Sequence, residues 1–370
     1  MWVEDRTSNM SHECFSLADK IKAHEAFWAG VGPSLILIPS GRQDHYDLRN
    51  YIDRFGNPER MWASEMERAK SLLSQVTDGI PTVRPNLGVI FVPAIAGQAY
   101  ELAEGAMPWP GEPLDEAAIR AIRHLDIAQA PAMDLAARFY HYHGASGCKD
   151  VVAYHPDTQG VFDIAHLLAG DGLLSDLADE SRADWVAELL EICLELYLRV
   201  SREVKRLLNE EPHSMIHGHG TCQGVYFPHA GVRVAEDTAV LLSPAMIERF
   251  VLPAIRRTGD LFGGVFAHFC GRHPGLLRLL CKLPEVKAID LGNPESYDIR
   301  QVLELCAETG TVLYSRVPAL PGESWQPYIR RLGQWVAETE ARVILRPTVF
   351  PETAAECAAM RAIWQEATSR

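Results

Sequence analysis

Short apolar runs alternate along the chain with longer segments in which apolar residues recur at helical spacing. Eight such runs are strand-like and end at polar or glycine-containing segments: 34–39, 87–93, 150–155, 214–219, 264–270, 286–292, 311–317 and 341–347. Strands that alternate with helices are typical of parallel βαβ units. The pattern therefore predicts an α/β protein built as a single (β/α)8 barrel, with a doubly wound open sheet as the alternative.

The clearest predicted helix spans 184–208, where apolar residues return every three or four positions. A second begins at Ser243-Pro244, a capping residue followed by proline in the first turn, and is expected to end near Arg257. Further helices are predicted at 61–77, 114–124, 274–282, 298–309, 323–339 and 351–367. Because no linker or repeat divides the sequence, we expect an N-terminal helical extension, 1–30, followed by one domain, 31–370.

Composition and charge narrow the class of protein. The 370 residues are 47 % hydrophobic and 23 % charged, which is typical of a globular protein. A net charge of −14 repels a phosphate backbone, so nucleic acid is not an expected partner. The start has no apolar leader, and no window reaches the roughly 18 apolar residues of a membrane helix. We therefore expect a cytoplasmic protein without a membrane partner.

The cysteines suggest chemistry rather than crosslinking. Eight are spread along the sequence without a CxxC motif, in a chain large enough to fold without disulfides. A functional cysteine would then be a metal ligand or a nucleophile. The sequence also lacks a phosphate-binding glycine loop and a GxSxG motif, so it supports neither a nucleotide cofactor nor a serine hydrolase.

Polar side chains collect where the predicted strands end, which is the edge at which parallel α/β folds carry function. His268 and Cys270 are two residues apart on one run, so they share a face, and so do His217 and His219. The candidate site comprises these four residues, Asp237 before the apolar run 239–242, and the polar residues near other strand ends: Asp157, Asp290, Glu295, Arg316 and Arg346.

Imidazole and thiolate are ligands that zinc prefers, so His268 and Cys270 are candidate zinc ligands. Glu295 is a candidate third ligand, and Cys222, Cys306 or Cys357 could add a sulfur. The alternative is that His268 and Cys270 simply pack at a strand end.

Roles for the remaining candidates follow from their chemistry. His217 and His219, set among glycines, suit proton transfer or substrate contact, and otherwise form a polar loop rim. Arg316 and Arg346 could hold a small anionic substrate in a bidentate clamp, or pair with a structural acid such as Asp290. Asp237, beside Glu236, either orients a loop over the site or belongs to an exposed acidic turn.

Several motifs together resemble the uroporphyrinogen decarboxylase superfamily. They are Ile80-Pro-Thr-Val-Arg-Pro-Asn-Leu-Gly88, Asp157-Thr-Gln-Gly160, Glu236-Asp237 with Leu242-Ser-Pro244, and His268-Phe-Cys-Gly271. The resemblance covers most of the chain beyond about residue 60 and implies a (β/α)8 barrel with its site at the mouth. Only one arginine stands in the segment 40–46, where true decarboxylases carry an arginine-rich opening, so the chain is more similar to the cobalamin methyltransferase-like branch.

That resemblance implies a zinc-assisted methyltransferase that moves a methyl group between a corrinoid and a thiol or other acceptor. Zn2+ would be held by His268 and Cys270, with Glu295 as a third ligand, because Arg346 stands where the family has a last cysteine. A separate corrinoid protein would be the partner, and a homodimer is possible in this superfamily.

Two alternatives remain open at this stage. One is a cofactor-free decarboxylase of a porphyrinogen or other polycarboxylate, in which Asp157, Asp237 or Asp290 would stabilise a protonated ring. The other is a non-catalytic protein that binds a tetrapyrrole or corrinoid. A tightly bound metal would argue against the decarboxylase.

Overall fold

The computed structural model describes residues 16–39 and 51–369. Its strands are Leu35–Ile36 (β1), Ile80–Val83 (β2), Tyr100–Glu101 (β3), Trp109–Pro110 (β4), Val152–Ala153 (β5), Met215–His217 (β6), Gln223–Phe227 (β7), Val232–Ala235 (β8), Val265–Phe269 (β9), Val286–Leu291 (β10), Val312–Ser315 (β11) and Val343–Leu345 (β12).

The helices in the first half of the chain are Leu17–Trp28 (α1), Tyr51–Phe55 (α2), Pro58–Lys70 (α3), Phe91–Ile95 (α4), Glu116–Ala121 (α5), Pro131–Ala145 (α6), Val161–Ala169 (α7), Gly172–Asp176 (α8) and Ala183–Leu208 (α9). Those in the second half are Pro244–Met246 (α10), Leu252–Phe262 (α11), Pro274–Cys281 (α12), Ile299–Thr309 (α13), Trp325–Thr339 (α14) and Ala354–Thr368 (α15), with a π-helical turn at Ile247–Val251 between α10 and α11.

Six strands form one parallel sheet in the order β1-β12-β11-β10-β9-β8. This confirms the α/β class and the parallel pairing predicted for the second half of the chain. Four further strands form a second sheet in the order β5-β2-β7-β6, in which β7 runs antiparallel to both neighbours. Strands β3 and β4 make a separate antiparallel pair.

Alternate residues of the six-stranded sheet face two different cores, as the two-residue period of a strand requires. Ile36 and Ile38 belong to the large core that the helices cover, whereas Leu35 and Leu37 belong to a smaller, inner core. The inner core joins both sheets and the end of α1 through Phe27, Trp28, Met215, Val225, Phe227, Ala230, Phe266, Ala288, Val312, Tyr314 and Ile344. The hairpin β6–β7 thus packs on the inner face of the parallel sheet.

Two predicted strands are wrong in type or pairing. Residues 87–93 form a 3-10 turn, Gly88–Ile90, followed by α4, because Leu87, Ile90 and Phe91 are buried at helical spacing. The strand of this region is β2, a few residues earlier. The run 214–219 contains β6, but its partner is the antiparallel β7 rather than a parallel strand. Strand β8 was missed because Arg233 interrupts its short apolar run.

The predicted helices agree better with the structure. The buried face of α9 carries the periodic residues that predicted it, including Leu189, Cys193 and Leu196. The Ser243 hydroxyl accepts a hydrogen bond from the Met246 amide, and the helix that it caps continues through the π-helical turn to Phe262, past the predicted end. In the described part of the chain, no helix is both long and apolar enough to span a bilayer.

The N-terminal helix α1 is tied to the rest of the molecule. The ammonium group of Lys20 donates to the Gly79 carbonyl at 2.6 Å, and the Trp28 indole donates to the Tyr226 carbonyl at 2.8 Å. These bonds hold α1 against β2 and β7. The predicted boundary between 1–30 and 31–370 stays a prediction, and residues 1–15 and the arginine-containing segment 40–46 lie outside the described residues.

Candidate active site

Three neighbouring parallel strands, β8, β9 and β10, end together and bring three polar residues to one place. His268 lies near the carboxyl end of β9, Asp290 stands beside it in register on β10, and Asp237 follows β8. This is the edge of the sheet where the sequence analysis placed a site, and the register explains why residues far apart in sequence meet there.

Asp290 is the centre of this cluster and is 1 % exposed. Its Oδ2 atom accepts from His268 Nδ1 at 2.5 Å and from His219 Nε2 at 2.8 Å. Although burial opposes ionisation, the neighbouring His219 and His268 hold the pKa of Asp290 well below its usual range. The carboxylate is therefore ionised at neutral pH and fixes the orientation of both rings.

His219 belongs to a closed network, in which both of its nitrogens are already used. Its Nδ1 accepts from Arg233 Nε at 2.9 Å, and Arg233 Nη1 lies 2.9 Å from Asp157 Oδ1. Burial lowers the pKa of His219 to about 3, so the ring is neutral at pH 7. Its backbone lies in the left-handed region at φ 44°, a strained conformation that functional loops often hold.

The second ring nitrogen of His268 points toward Cys270 and Asp237. We call these three residues the open group. Nε2 of His268 lies 3.5 Å from the Cys270 sulfur and 3.5 Å from Asp237 Oδ1. The same Asp237 oxygen accepts from the Cys270 amide at 2.6 Å. One donor atom each from His268, Cys270 and Asp237 lie within 4.8 Å of one another, and a second such group contains His219, His268 and Asp290.

The open group fits a zinc ion by its donor chemistry. It offers an imidazole nitrogen, a sulfur and a carboxylate oxygen, all of which zinc accepts, and a fourth position remains for a substrate. The His268–Asp290 hydrogen bond is the carboxylate–histidine arrangement that commonly orients a metal-binding ring. Burial and the charge of Asp237 raise the pKa of the Cys270 thiol to about 12.

A buried carboxyl pair, Asp163 and Glu236, fixes the backbone of Asp237. The carboxylate of Asp163 accepts from the Asp237 and Thr238 amides, each at 2.8 Å, and Glu236 Oε2 accepts from the Asp163 amide at 3.1 Å. Burial and the charge of Asp237 raise the pKa of Asp163 to about 7. Glu236 is 1 % exposed and the Asp237 side chain is 40 % exposed, so only the second residue of this acidic pair faces solvent.

The structure places the other predicted site residues at varying distances from this cluster. His217 lies beside it, and its Nδ1 accepts from the His219 amide at 3.0 Å. Glu295 is exposed, accepts from Asn293 Nδ2 at 2.8 Å and belongs to neither metal-capable group. Arg316 is exposed and donates to the Gly292 carbonyl, whereas Arg346 lies over the Tyr314 ring, 5.8 Å from its centroid.

Nor do the further cysteines approach the open group. Cys222 and Cys306 are fully buried in the helix-covered core. The Cys357 thiol donates to the Pro351 carbonyl, and the Gln75 amide donates to its sulfur. Among the described residues, the structure thus gathers a single cysteine, Cys270, into a metal-capable group.

Two arginines near the cluster, one buried and one with a side chain 9 % exposed, were given no role in the sequence analysis. Arg233 sits on β8 between two valines, and Arg84 follows β2, where it is 3 % exposed and lies 5.9 Å from the Tyr154 ring centroid. Although burial opposes it, Arg233 and Arg84 hold the pKa of Asp157 below its usual value. The sequence signal that could have identified Arg233 is its position as a charged residue inside a short apolar run.

Comparisons with known proteins concern the fold. No protein-family model matches the chain, and no curated protein matches it in sequence. Among solved structures, the chain is similar to a methyltransferase from Methanosarcina mazei, with a TM-score of 0.61 and 13 % sequence identity. The match covers 95 % of this chain and 99 % of that chain, so the likeness extends over the whole architecture.

Proposed function

We propose that this protein is a zinc-assisted methyltransferase of the uroporphyrinogen decarboxylase superfamily, which moves a methyl group between a corrinoid and a thiol or other acceptor. The observation that carries the proposal is the open group, in which Nε2 of His268 lies 3.5 Å from both the Cys270 sulfur and an Asp237 oxygen. The fold likeness to a methyltransferase supports the same conclusion.

The proposed architecture is a closed (β/α)8-type barrel with this group at its mouth. Two observations support it: the inner core joins side chains of both sheets, and the neighbouring methyltransferase matches along nearly the full length of the chain. A barrel would place the carboxyl ends of all parallel strands around one opening.

The proposed zinc ligands are His268, Cys270 and Asp237. Asp237 replaces Glu295 in the set because Glu295 is exposed and bonded to Asn293. When bound, zinc would supply a Lewis acid that lowers the pKa of an acceptor thiol and holds it as a thiolate. Asp290 orients the His268 ring, and the Asp163–Glu236 pair holds the Asp237 backbone in place.

The remaining residues would bind and orient the substrate. Burial holds the pKa of His217 well below its usual value, so the ring is neutral. Because its Nδ1 accepts a hydrogen bond from the His219 amide, its proton resides on Nε2, which can donate a hydrogen bond to a substrate. We assign the binding of a small anionic substrate to Arg346. Arg84 and Arg233 would keep the neighbouring Asp157 ionised. A separate corrinoid protein and a homodimeric assembly belong to the same proposal.

Metal content tests the zinc assignment directly. Untagged protein is expected to carry about one zinc per chain by inductively coupled plasma mass spectrometry. His268→Ala and Cys270→Ala should each fall below about one fifth of that content, because a single lost ligand weakens zinc binding strongly. Cys148→Ala is the matched control, since this half-buried cysteine lies outside both metal-capable groups.

The result that would overturn the assignment is equal zinc in all four proteins, or no zinc in the wild type after reconstitution under reducing conditions. Circular dichroism on each variant establishes that a lost ion reflects a lost ligand rather than a lost fold.

Methyl transfer needs its own assay. Zinc-loaded protein is incubated with methylcobalamin and 2-mercaptoethanol, and absorbance follows the corrinoid. In the expected reaction the cobalt–carbon bond breaks, its electron pair stays on cobalt as cob(I)alamin, and the thiolate becomes a methyl thioether. Corrinoid binding without turnover, across a panel of thiols, would instead favour a binding protein.

One observation favours a decarboxylase as the second candidate. Arg84 is buried, the Arg233 side chain is only 9 % exposed, and both act on Asp157; such guanidinium groups can hold the carboxylates of a polycarboxylate substrate without a metal. Carbon dioxide release from a porphyrinogen by zinc-free protein would establish this alternative, and zinc dependence of any activity would exclude it.

A further inference from the structure

A cavity of about 480 Å³ opens at the opposite end of the parallel sheet from the candidate active site. It is bordered by the segments that lead into β10, β11 and β12: residues 281–284 before β10, 309–310 before β11, and Arg342 before β12. Val286 begins β10 at this cavity, whereas Asp290 lies near the other end of the same strand. The cavity is thus separate from the open group.

The lining of this cavity is strongly cationic. It contains Lys282, Lys287 and Arg342 beside His229, and no aspartate or glutamate, so the three lysine and arginine side chains supply its charge. That composition stands out in a chain whose net charge is −14. Glu285, which follows Pro284 in the sequence, packs against α11. Its Cβ and Cγ atoms lie so close to Gly259 that a Cβ atom added to that glycine would collide with them.

Within the described residues, neither lysine has an ion-pair partner. Lys287 is half-buried and donates to the Pro284 carbonyl at 2.6 Å, so a hydrogen bond positions its charge without neutralising it. Lys282 is exposed at the rim. Cations held close together without counterions repel one another, and an anion between them relieves that repulsion.

Part of the cavity lining is apolar and buried. Trp28, Leu283 and Val286 line it, and all three are buried. Arg342 donates to the Trp28 carbonyl at 3.0 Å and to the Gly310 carbonyl at 2.9 Å, so it ties α1 to the wall of the cavity. A volume of several hundred cubic ångströms with convergent polar groups is typical of a small-molecule site.

We propose that this cavity binds a small organic anion, with a phosphate or carboxylate group held by Lys282 and Lys287 and an apolar body resting on Trp28. The site is independent of the zinc group and of the reaction proposed for it. Since it joins α1 to the strands β10–β12, an occupant would also stabilise the contact of α1 with the sheet.

Calorimetric titration with phenyl phosphate and phenylacetate, at low ionic strength, tests the proposal on the full chain. Saturable binding of one or both probes is expected, with benzyl alcohol as the uncharged comparison showing none. The double variant Lys282→Gln/Lys287→Gln should weaken binding by about tenfold or more, because two charges contact the anion. Which anion binds more tightly distinguishes a phosphate from a carboxylate ligand.

A charge-matched control separates the cavity from a general effect of net charge. Lys22 and Lys149 are exposed and lie outside the cavity lining, so Lys22→Gln/Lys149→Gln changes the net charge equally. It should bind as the wild type does, and so should His268→Ala. The proposal is wrong if neither probe binds saturably, if both double variants lose affinity alike, or if His268→Ala abolishes binding.

Discussion

The two sides of Asp290 differ in one respect that decides their chemistry. On the closed side, His219 uses both ring nitrogens, one toward Asp290 and one toward Arg233, which in turn pairs with Asp157. On the open side, His268 bonds Asp290 closely through Nδ1, and its Nε2 makes only longer contacts, 3.5 Å each, with the Cys270 sulfur and an Asp237 oxygen. The same residue type therefore serves as scaffold in one place and as candidate ligand in the other.

The comparison shows that hydrogen-bond saturation, rather than residue type, separates structural from chemically available histidines. A ring with two satisfied nitrogens has no lone pair for a metal, whereas a ring anchored at one nitrogen presents the other in a fixed direction. Four variants test this division between the two sides, beginning with Asp290, the residue that both sides share.

The largest effect is expected from Asp290→Asn, because Asp290 serves both sides. Two hydrogen bonds to a buried carboxylate become bonds to a neutral amide, which should lower the free energy of unfolding by about 2–3 kcal/mol. Zinc content should also fall, since the His268 ring loses its anchor. Urea unfolding and metal analysis measure the two effects.

The pH dependence of the same variant has a definite sign. The folded-state pKa of Asp290 is below the unfolded value near 3.8, so its contribution to stability is present above about pH 4 and is lost as the pH falls through the folded-state pKa. Wild-type stability should therefore fall more steeply below pH 4 than that of Asp290→Asn. Parallel acid profiles would contradict this account.

Arg233→Gln should separate the two sides. It removes the partner of Asp157 and His219, and we expect a loss of about 1–3 kcal/mol in the free energy of unfolding. Zinc content should stay at the wild-type level because Arg233 forms no hydrogen bond with His268, Cys270 or Asp237 in the described structure. Arg278→Gln, on the exposed face of α12, is the control for stability. Zinc loss in a folded Arg233→Gln protein would mean that the closed side also shapes the metal group.

The smallest effect is expected from Glu295→Gln. This side chain is exposed and outside both metal-capable groups, so zinc content and the urea midpoint should match the wild type. The matched change Asp237→Asn, in the open group, should lower zinc content. If Glu295→Gln loses more than half of its zinc, the ligand set predicted from the sequence, with Glu295 as third ligand, would be correct instead.

Local patterns predicted much of the second half of the fold. The runs 264–270, 286–292, 311–317 and 341–347 coincide with β9 to β12, because strands buried on both faces read as continuous apolar runs. The helix α9 was predicted over nearly its full length for a similar reason, since its periodicity is set by one buried face. The run 87–93 failed because a short apolar segment fits either a strand or a buried helix.

For the candidate site, the sequence determined the residue types and their strand-end positions, including His268 and Cys270 on one face of β9. Tertiary structure alone decided which partners meet them: Asp290 through the register of β9 and β10, and Asp237 rather than Glu295 through the turn that follows β8. It also decided that Arg233 is paired and largely buried. Which residues meet depends on how the loops that follow separate strands approach one another at one edge of the sheet. No local pattern of residues encodes that approach.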